Sequence, residues 1–168
     1  MSSALSHDVT HVVLVYPDIH WNTGNAGRTC LAAGASLHLV EPLGFSLDDS
    51  RVKRAGLDYW EHVDLHVWPN WEAFEAQLPS LGEPYFFSTK ATRSFWDAPL
   101  GAPAGVVLIF GSETAGLPTE LHQKYRERFL AMPILSTRVR SLNLSNSVAI
   151  VAYEVLRQRR AASLQGPS

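Results

Sequence analysis

Short apolar runs alternate with amphipathic stretches along the chain. The runs are four to six residues long and rich in β-branched and aromatic side chains, a pattern that predicts buried strands. They occupy residues 12–16, 37–40, 63–68, 85–88, 106–110 and 129–132. Apolar residues at helical spacing predict helices at 23–33, 48–55, 71–78, 118–128 and 144 to 161.

This alternation of strands and helices predicts the fold class. It indicates an α/β fold with a mostly parallel sheet and helices on both faces. The 168 residues suffice for one hydrophobic core, so we expect a single domain over 1–168. Residues 79–84 and 97–103 are expected to be loops, and 162–168 a frayed end.

The composition excludes several classes of protein. Charged residues make up 18% and aromatic residues 10% of the chain, which is atypical of disordered or coiled-coil sequences. No apolar run approaches the roughly 20 residues that span a bilayer, and the first residues lack the pattern of a secretion signal. Cys30 is the only cysteine, so an intrachain disulfide and a thiolate zinc site are excluded. We expect a cytoplasmic protein without a membrane partner or a metal.

The net charge of −2 hides a strong asymmetry along the chain. Residues 1–120 carry −8, whereas residues 121–168 carry +6. Such a division suggests that one face meets a polyanion. A helix surface with solvated arginine and lysine side chains explains the charge equally well.

Three polar segments differ from ordinary loops, and the first, NTGNAGRTC, spans residues 22–30. Asn22 or Thr23 can cap the helix predicted there, and the free N–H groups of its first turn could bind an anion. A stripe of small residues lets this helix approach the sheet, namely Ala26, Cys30 and Ala33. Arg28 lies about 200° around the helix from Ala26, so it points away from the stripe, toward a ligand or toward water.

The second segment, FGSETAGLP, spans residues 110–118 and follows an entirely apolar predicted strand. Loops at the carboxyl ends of parallel strands are where α/β proteins bind ligands. Gly111 and Gly116 have the spacing of a phosphate-binding loop, but the Lys and Ser or Thr that should follow are missing, which excludes a nucleoside triphosphate site. Glu113 either contributes to a site or brackets the turn.

The third segment, residues 136–147, carries more polar side chains than one helix cap requires: Ser141, Asn143, Ser145, Asn146 and Ser147. The following helix is apolar at 148, 151, 152, 155 and 156, and also at 149, 150 and 153. A second apolar face suggests burial against another subunit, and coverage by the chain itself is the alternative. If a second subunit covers it, a charged residue at Val148 or Tyr153 should produce monomers.

Histidine and aromatic residues give weaker signals. His62 and His66 have no third ligand nearby in the sequence, so we do not interpret them as a metal site. Most large aromatic residues are assigned to the core: Trp60, Trp68, Trp71, Phe86, Phe87 and Phe95. Trp21 stands in a polar turn before Asn22, where we predict exposure and stacking on a base.

In this order, the three segments resemble the three motifs of the SPOUT-class RNA 2′-O-methyltransferases. The matching stretches are NTGNAGRTC, FGSETAGLP and RSLNLSNSVAIVAYEVLRQ. Residues 40–45 and 54–59 are similar to a small subgroup that modifies the wobble nucleotide of tRNA and lacks an added RNA-binding domain. The resemblance covers residues 10–160, nearly the whole chain.

The resemblance implies a trefoil knot in the C-terminal part, a homodimer with a shared active site, and binding to the anticodon region of tRNA. It implies the cofactor S-adenosylmethionine, held by Phe87, Gly111, Met132 and Ser141. The catalytic and site-shaping positions would be Asn22, Arg28, Glu113, Ser141 and Asn143. Arg28 would take the proton of the ribose 2′-hydroxyl or orient that hydroxyl. The RNA contacts would be Trp21, Arg138 and Arg140.

The expected reaction is methylation of the ribose 2′-hydroxyl of a wobble cytidine or uridine. Another tRNA position, a ribosomal RNA target and a non-catalytic RNA-binding protein of the same fold are the alternatives. The chain departs from the subgroup in two places. His20 and Trp21 stand where two prolines are usual, and residues 135–140 form a slightly longer stretch.

Overall fold

The computed structural model describes residues 10–48 and 58–166. Within them, six strands form one sheet: β1 Thr10–Val15, β2 Ala35–Val40, β3 Leu65–Trp68, β4 Glu83–Phe87, β5 Val106–Phe110 and β6 Phe129–Leu130. All neighbours pair in parallel, in the order β3-β2-β1-β5-β4-β6. The predicted parallel sheet is confirmed, and each predicted strand overlaps an observed one.

The described part also contains five α-helices: α1 His20–Ala33, α2 Trp71–Glu75, α3 Leu78–Leu81, α4 Thr119–Lys124 and α5 Leu144–Leu164. The sequence pattern predicts one helix at 71–78, but two short ones are found, because a proline in the first turn suits a new helix start at Leu78. The loop predicted at 79–84 is wrong, since α3 and β4 cover most of it. The helix predicted at 48–55 lies almost entirely outside the described residues.

Helices cover both faces of the sheet, as predicted. Successive strand residues point to opposite faces, so Val12 and Leu14 enter one apolar layer and Val13 and Val15 the other. The first layer is completed by α1 and α5, through Ala26, Cys30, Val148, Val151 and Val155. The second is completed by α2, α3 and α4, through Trp71, Phe74, Leu78, Leu81 and Leu121. The assignment of most large aromatic residues to the core is confirmed for Trp71, Phe86, Phe87 and Phe95.

The two sides of α5 differ in exposure. Val148 is fully buried within its own chain, so the expectation that a charge there would act on a subunit interface is wrong: it would disrupt this core. Ile150 and Tyr153 lie one turn apart and are 43% and 52% exposed. The apolar face that the chain itself leaves uncovered is therefore narrower than the sequence pattern suggested.

A buried polar cluster lies within the second layer. Trp68 Nε1 donates to His38 Nδ1 at 3.0 Å, and His38 Nε2 lies 2.9 Å from His11 Nδ1. Because an indole N–H only donates, neutral His38 carries its proton on Nε2 and donates it to His11. Burial, reinforced by the neighbouring His11 and His66, lowers the pKa of His38 to about 2. His38 is therefore neutral in the folded protein at ordinary pH.

The sheet order defines where a ligand site is expected. From β1 the chain runs outward through β2 to β3, whereas β5, β4 and β6 lie on the other side of β1. The carboxyl ends of β1 and β5 therefore form a switch point, where open α/β sheets bind their ligands.

Candidate active site

A cleft of about 560 Å³ opens at this switch point. The loops that follow β4, β5 and β6, the start of α1 and the segment before α5 all contribute to its wall. The predicted site residues that line it are Asn22, Phe87, Gly111, Glu113, Met132, Arg140, Ser141 and Asn143. All three polar segments thus reach one cavity, although they are far apart in sequence.

Glu113 caps α1 from another part of the chain. Its Oε2 accepts from the Asp18 backbone N–H at 2.7 Å, and its Oε1 accepts from the Ile19 N–H at 3.4 Å. No side chain of the helix itself makes a capping hydrogen bond. The carboxylate therefore satisfies free N–H groups and places a negative charge at the positive end of the helix.

The prediction that Asn22 or Thr23 caps this helix is wrong. The helix begins at His20, so both residues lie inside its first turns and are buried. Asn22 instead makes two side-chain hydrogen bonds: its Nδ2 donates to Glu113 Oε1 at 3.3 Å, and its Oδ1 accepts from Asn143 Nδ2 at 3.1 Å. One amide thereby bridges the second and third segments.

Asn143 explains much of the polar crowding before α5. It is the N-cap residue, and its Oδ1 accepts from the Asn146 backbone N–H at 3.2 Å and from Ser145 Oγ at 2.7 Å. Its carbonyl accepts from Ser147 Oγ at 3.1 Å. A carboxylate only accepts hydrogen bonds, so Asn22 must turn its NH₂ group toward Glu113. The Asn22 oxygen then faces Asn143, whose NH₂ group donates to it.

The loop after β5 is too tight for side chains at its first position. A Cβ on Gly111 would lie 2.2 Å from the Gly116 carbonyl carbon, a contact that rigid backbone cannot relieve. Ser112 and Gly116 are joined by two backbone hydrogen bonds, and Thr114 Oγ1 donates to Asp18 Oδ2 at 2.6 Å. The loop is therefore fastened both to itself and to the start of α1, and it presents backbone groups to the cleft.

Three predicted residues do not reach the cleft. Arg28 is exposed, as expected from the helix geometry, and its guanidinium lies 5.6 Å over the Tyr59 ring. Trp21 is 59% exposed as predicted, but it lies in the first turn of α1 and not in a polar turn, because that helix starts earlier than predicted. Arg138 is exposed but does not line the cleft, whereas Arg140 does.

Sequence reasoning missed several lining residues. Ser88, Thr89 and Lys90 follow β4 directly and line the cleft, and the carboxyl-end rule applied to the predicted strand at 85–88 could have found them. His122 also lines the cleft, and burial together with the charge of Lys90 lowers its pKa. No sequence signal pointed to Asp18, whose contacts depend on the folded loop after β5.

Metal-binding and membrane-spanning features are absent from the described part of the chain. In residues 10–48 and 58–166, no group of three or more His, Cys, Asp or Glu is placed to hold a metal ion. His66 lies 3.0 Å from an Asp64 carboxylate oxygen. None of the helices in those two ranges combines the length and apolar character that crossing a bilayer requires.

Fold and cleft together define an α/β protein with a cleft at the carboxyl edge of a parallel sheet, lined by residues of three polar segments. The chain belongs to the SpoU rRNA Methylase family, whose family model matches residues 9–153. The family resemblance inferred from the three motifs is thereby confirmed.

Individual relatives agree with this assignment. The chain is 46% identical over 150 residues to a tRNA (cytidine(34)-2′-O)-methyltransferase of Burkholderia cenocepacia, covering 88% of this chain and 94% of that one. A solved structure described as "Structural insights into the 2-OH methylation of C/U34 on tRNA" superposes with a TM-score of 0.84 at 40% identity, covering 93% and 99% of the two chains. An AdoMet-bound rRNA methyltransferase from Sinorhizobium meliloti superposes with a TM-score of 0.80 at 25% identity. The match covers 91% of this chain and 57% of that one.

Proposed function

We propose that this protein methylates the ribose 2′-hydroxyl of the wobble nucleotide of tRNA, a cytidine or a uridine, with S-adenosylmethionine as methyl donor. The observation that carries the proposal is the convergence of the three motif segments on one cleft, where Glu113, Asn22 and Asn143 form a continuous hydrogen-bonded chain. The relative with 46% identity is named for this activity, which favours it over another tRNA or ribosomal target.

The cleft fits S-adenosylmethionine in size and chemistry. Its volume of about 560 Å³ is in the range of small-molecule sites, and it combines aromatic side chains with backbone groups of the loop after β5. The rings of Phe87 and Phe110 stack with their centroids 4.8 Å apart, and both residues line the cleft. The residues that would hold the donor are Phe87, Gly111, Met132 and Ser141. When bound, S-adenosylmethionine supplies a methyl group on a positively charged sulfur.

The chain's own residues provide a rigid, oriented frame. Glu113 fixes the start of α1, and through Asn22 it fixes Asn143, so that three walls of the cleft are connected before any ligand arrives. Such preorganisation lowers the cost of orienting groups during reaction. The apolar rings of Phe87 and Phe110 on the cleft wall would favour the loss of positive charge on the donor's sulfur as the methyl group is transferred. Ser141, exposed on the cleft wall, offers a hydroxyl to the donor or the ribose.

Arg28 supports the proposal that two chains share each active site. It follows Asn22 by six residues, which is about 240° around and 9 Å along the helix, and its guanidinium lies over the Tyr59 ring, outside the cleft that Asn22 lines. We assign Arg28 to the active site of a partner copy, where it takes or orients the proton of the 2′-hydroxyl. The exposed apolar side chains Ile150 and Tyr153 would lie in the interface.

Two variants that are each inactive test this sharing. Arg28→Ala and Asn143→Ala should complement each other when mixed and reassembled, because half of the dimers would then contain one intact site, giving about a quarter of wild-type activity. Tyr153→Glu should produce monomers without activity, whereas Leu164→Glu, also exposed on α5, should leave the dimer intact. Failure to complement, or an active Tyr153→Glu monomer, would refute the shared site.

The remaining features of the proposal concern topology and context. We propose that residues 10–160 act as one methyltransferase domain and that the segment before α5 is threaded into a trefoil knot. The observation in support is that Ala131 pairs with the β4–β5 loop at Arg93 and Phe95, after which the chain continues along the cleft before α5 returns to pack on α1. Trp21, Arg138 and Arg140 would contact the anticodon region, and a tRNA substrate would place the enzyme in the cytoplasm.

The activity itself is tested with labelled S-adenosylmethionine and total tRNA, followed by nucleoside mass spectrometry. The expected product is 2′-O-methylcytidine or 2′-O-methyluridine at the wobble position, absent from tRNA of cells that lack the gene. Methylation only at another tRNA position or in ribosomal RNA would replace the proposed target. The absence of transfer to any RNA would leave a non-catalytic RNA-binding protein.

A further inference from the structure

An exposed tryptophan stands on the loop between β4 and β5, outside the groups that the proposed reaction uses. Trp96 is 63% exposed in a short 3₁₀ turn, Phe95–Asp97. Tryptophan is uncommon at such exposure and is enriched where proteins contact partners. Its exposure therefore needs a reason.

The turn that carries Trp96 is rigidly held. Phe95 is 2% exposed, and its N–H donates to the Ala131 carbonyl at 3.0 Å, while the Ala131 N–H donates to the Arg93 carbonyl at 2.8 Å. Ser94 Oγ accepts from the Trp96 N–H at 3.2 Å. The backbone is thus fixed on both sides of Trp96, so its ring is presented from a preorganised turn.

The β4–β5 loop that carries this turn is connected to the wall of the cleft. Ala131, to which it is paired, precedes Met132, which lines the cleft. At the other end of the loop, Lys90 also lines the cleft. Trp96 therefore stands on a loop that forms part of the cleft wall at Lys90 and is paired with Ala131, the residue before Met132.

Trp96 has one exposed basic and one exposed acidic neighbour in the loop, Arg93 and Asp97. Arg93 is exposed, and its Nη2 donates to the Asp97 carbonyl at 3.4 Å, which holds the guanidinium on the same turn as the ring. Among described residues 85–110, Trp96 is the only exposed large apolar side chain. A single exposed aromatic ring with a guanidinium on the same turn suits an unpaired base and a neighbouring phosphate.

We propose that Trp96, with Arg93, is a stacking platform for an unpaired RNA base adjacent to the nucleotide whose ribose enters the cleft. The ring would stack on the base, and Arg93 and Lys90 would contact the neighbouring phosphates. This inference rests on the proposed function, because it assigns part of the substrate to a surface next to the same cleft.

Steady-state kinetics on tRNA from cells lacking the gene test the platform. Trp96→Ala should raise KM for tRNA on the order of tenfold, with kcat within about twofold and S-adenosylmethionine affinity unchanged, because the ring touches neither the donor nor the reacting atoms. Trp96→Phe should stay close to wild type, and Trp96→Leu should behave like Trp96→Ala, since only a π-face stacks. Val67→Ala, at an exposed position on the opposite edge strand β3, is the matched control.

Two further measurements separate this inference from the proposed function. Arg93→Ala should reduce the salt dependence of RNA binding by about 0.7 in log–log slope. Binding of an RNA hairpin with an unpaired loop should quench the fluorescence of the wild type more than that of Trp96→Phe. If this difference in quenching is observed but no methyl group is transferred to any RNA, the proposed function is refuted and the stacking role of Trp96 is retained. Normal methylation with an unchanged KM in Trp96→Ala, or Trp96→Leu equal to Trp96→Phe, would overturn the platform.

Discussion

Replacing Glu113 by glutamine should loosen the start of α1. The substitution keeps the shape of the side chain but turns one carboxylate oxygen into an NH₂ group. All three contacts of the carboxylate come from donors, namely the backbone N–H groups of Asp18 and Ile19 and the amide of Asn22. An NH₂ group at either position therefore faces a donor and loses at least one hydrogen bond.

The magnitude follows from these contacts. The glutamine amide loses fewest hydrogen bonds when its NH₂ group replaces Oε2. It then loses the 2.7 Å bond from the Asp18 N–H and keeps the two contacts on Oε1. Asn22 cannot turn its amide to compensate, because its oxygen already accepts from Asn143. A hydrogen bond to a charged group, together with the lost charge at the helix N-terminus, amounts to about 2 kcal/mol. For a chain of this length that lowers Tm by about 4–8 °C.

Thermal unfolding followed by circular dichroism measures this effect, with Glu127→Gln, at an exposed position, as the control expected within about 0.5 kcal/mol of wild type. Amide hydrogen exchange should accelerate selectively at Asp18 and Ile19, whose N–H groups donate to the carboxylate, and at Thr23, whose N–H closes the first helical turn. A Tm shift no larger than that of the control, with unchanged exchange at Asp18, Ile19 and Thr23, would mean that the carboxylate does not hold this helix.

Three other outcomes are expected. Arg28→Ala should lower kcat on the order of 100-fold or more if Arg28 handles the proton, with calorimetric S-adenosylmethionine affinity nearly intact; a loss below about threefold would remove it from the catalytic groups. Gly111→Ala should weaken S-adenosylmethionine binding about tenfold or more, because its Cβ meets rigid backbone of Gly116, and an affinity within twofold would contradict this. The pKa of His38 falls from about 6.5 in the unfolded chain to about 2 in the folded protein, so below pH 6.5 the unfolded chain binds a proton that the folded protein does not. The free energy of unfolding is therefore highest above pH 6.5 and declines below it by up to about 1.4 kcal/mol per pH unit. Chemical denaturation at pH 7 and 5.5 should show this decline and a weaker one in His38→Gln; equal declines would assign it to other groups.

Several errors of the sequence-based predictions have one cause. Asn22 was predicted as a helix cap because caps are usually local, but Glu113, ninety-one residues away, supplies the cap instead. Val148 was placed on a subunit interface because the pattern of α5 shows two apolar faces, but the sheet and α1 of the same chain cover that residue. In each case the local pattern is real, and a distant contact decided the role of the residue.

The strands, the long helices and the parallel sheet followed from the sequence alone, because burial on both faces imposes apolar runs that can be recognised without knowing which elements meet. The motif residues were also recognisable there, since their types and spacing are local properties. Only the tertiary structure decided that the side chains of Glu113, Asn22 and Asn143 are joined by hydrogen bonds, that Arg28 lies away from them, that Lys90 lines the cleft and that Trp96 is exposed on the β4–β5 loop. These facts depend on the order of strands in the sheet, which brings together segments about a hundred residues apart and leaves no local trace in the sequence.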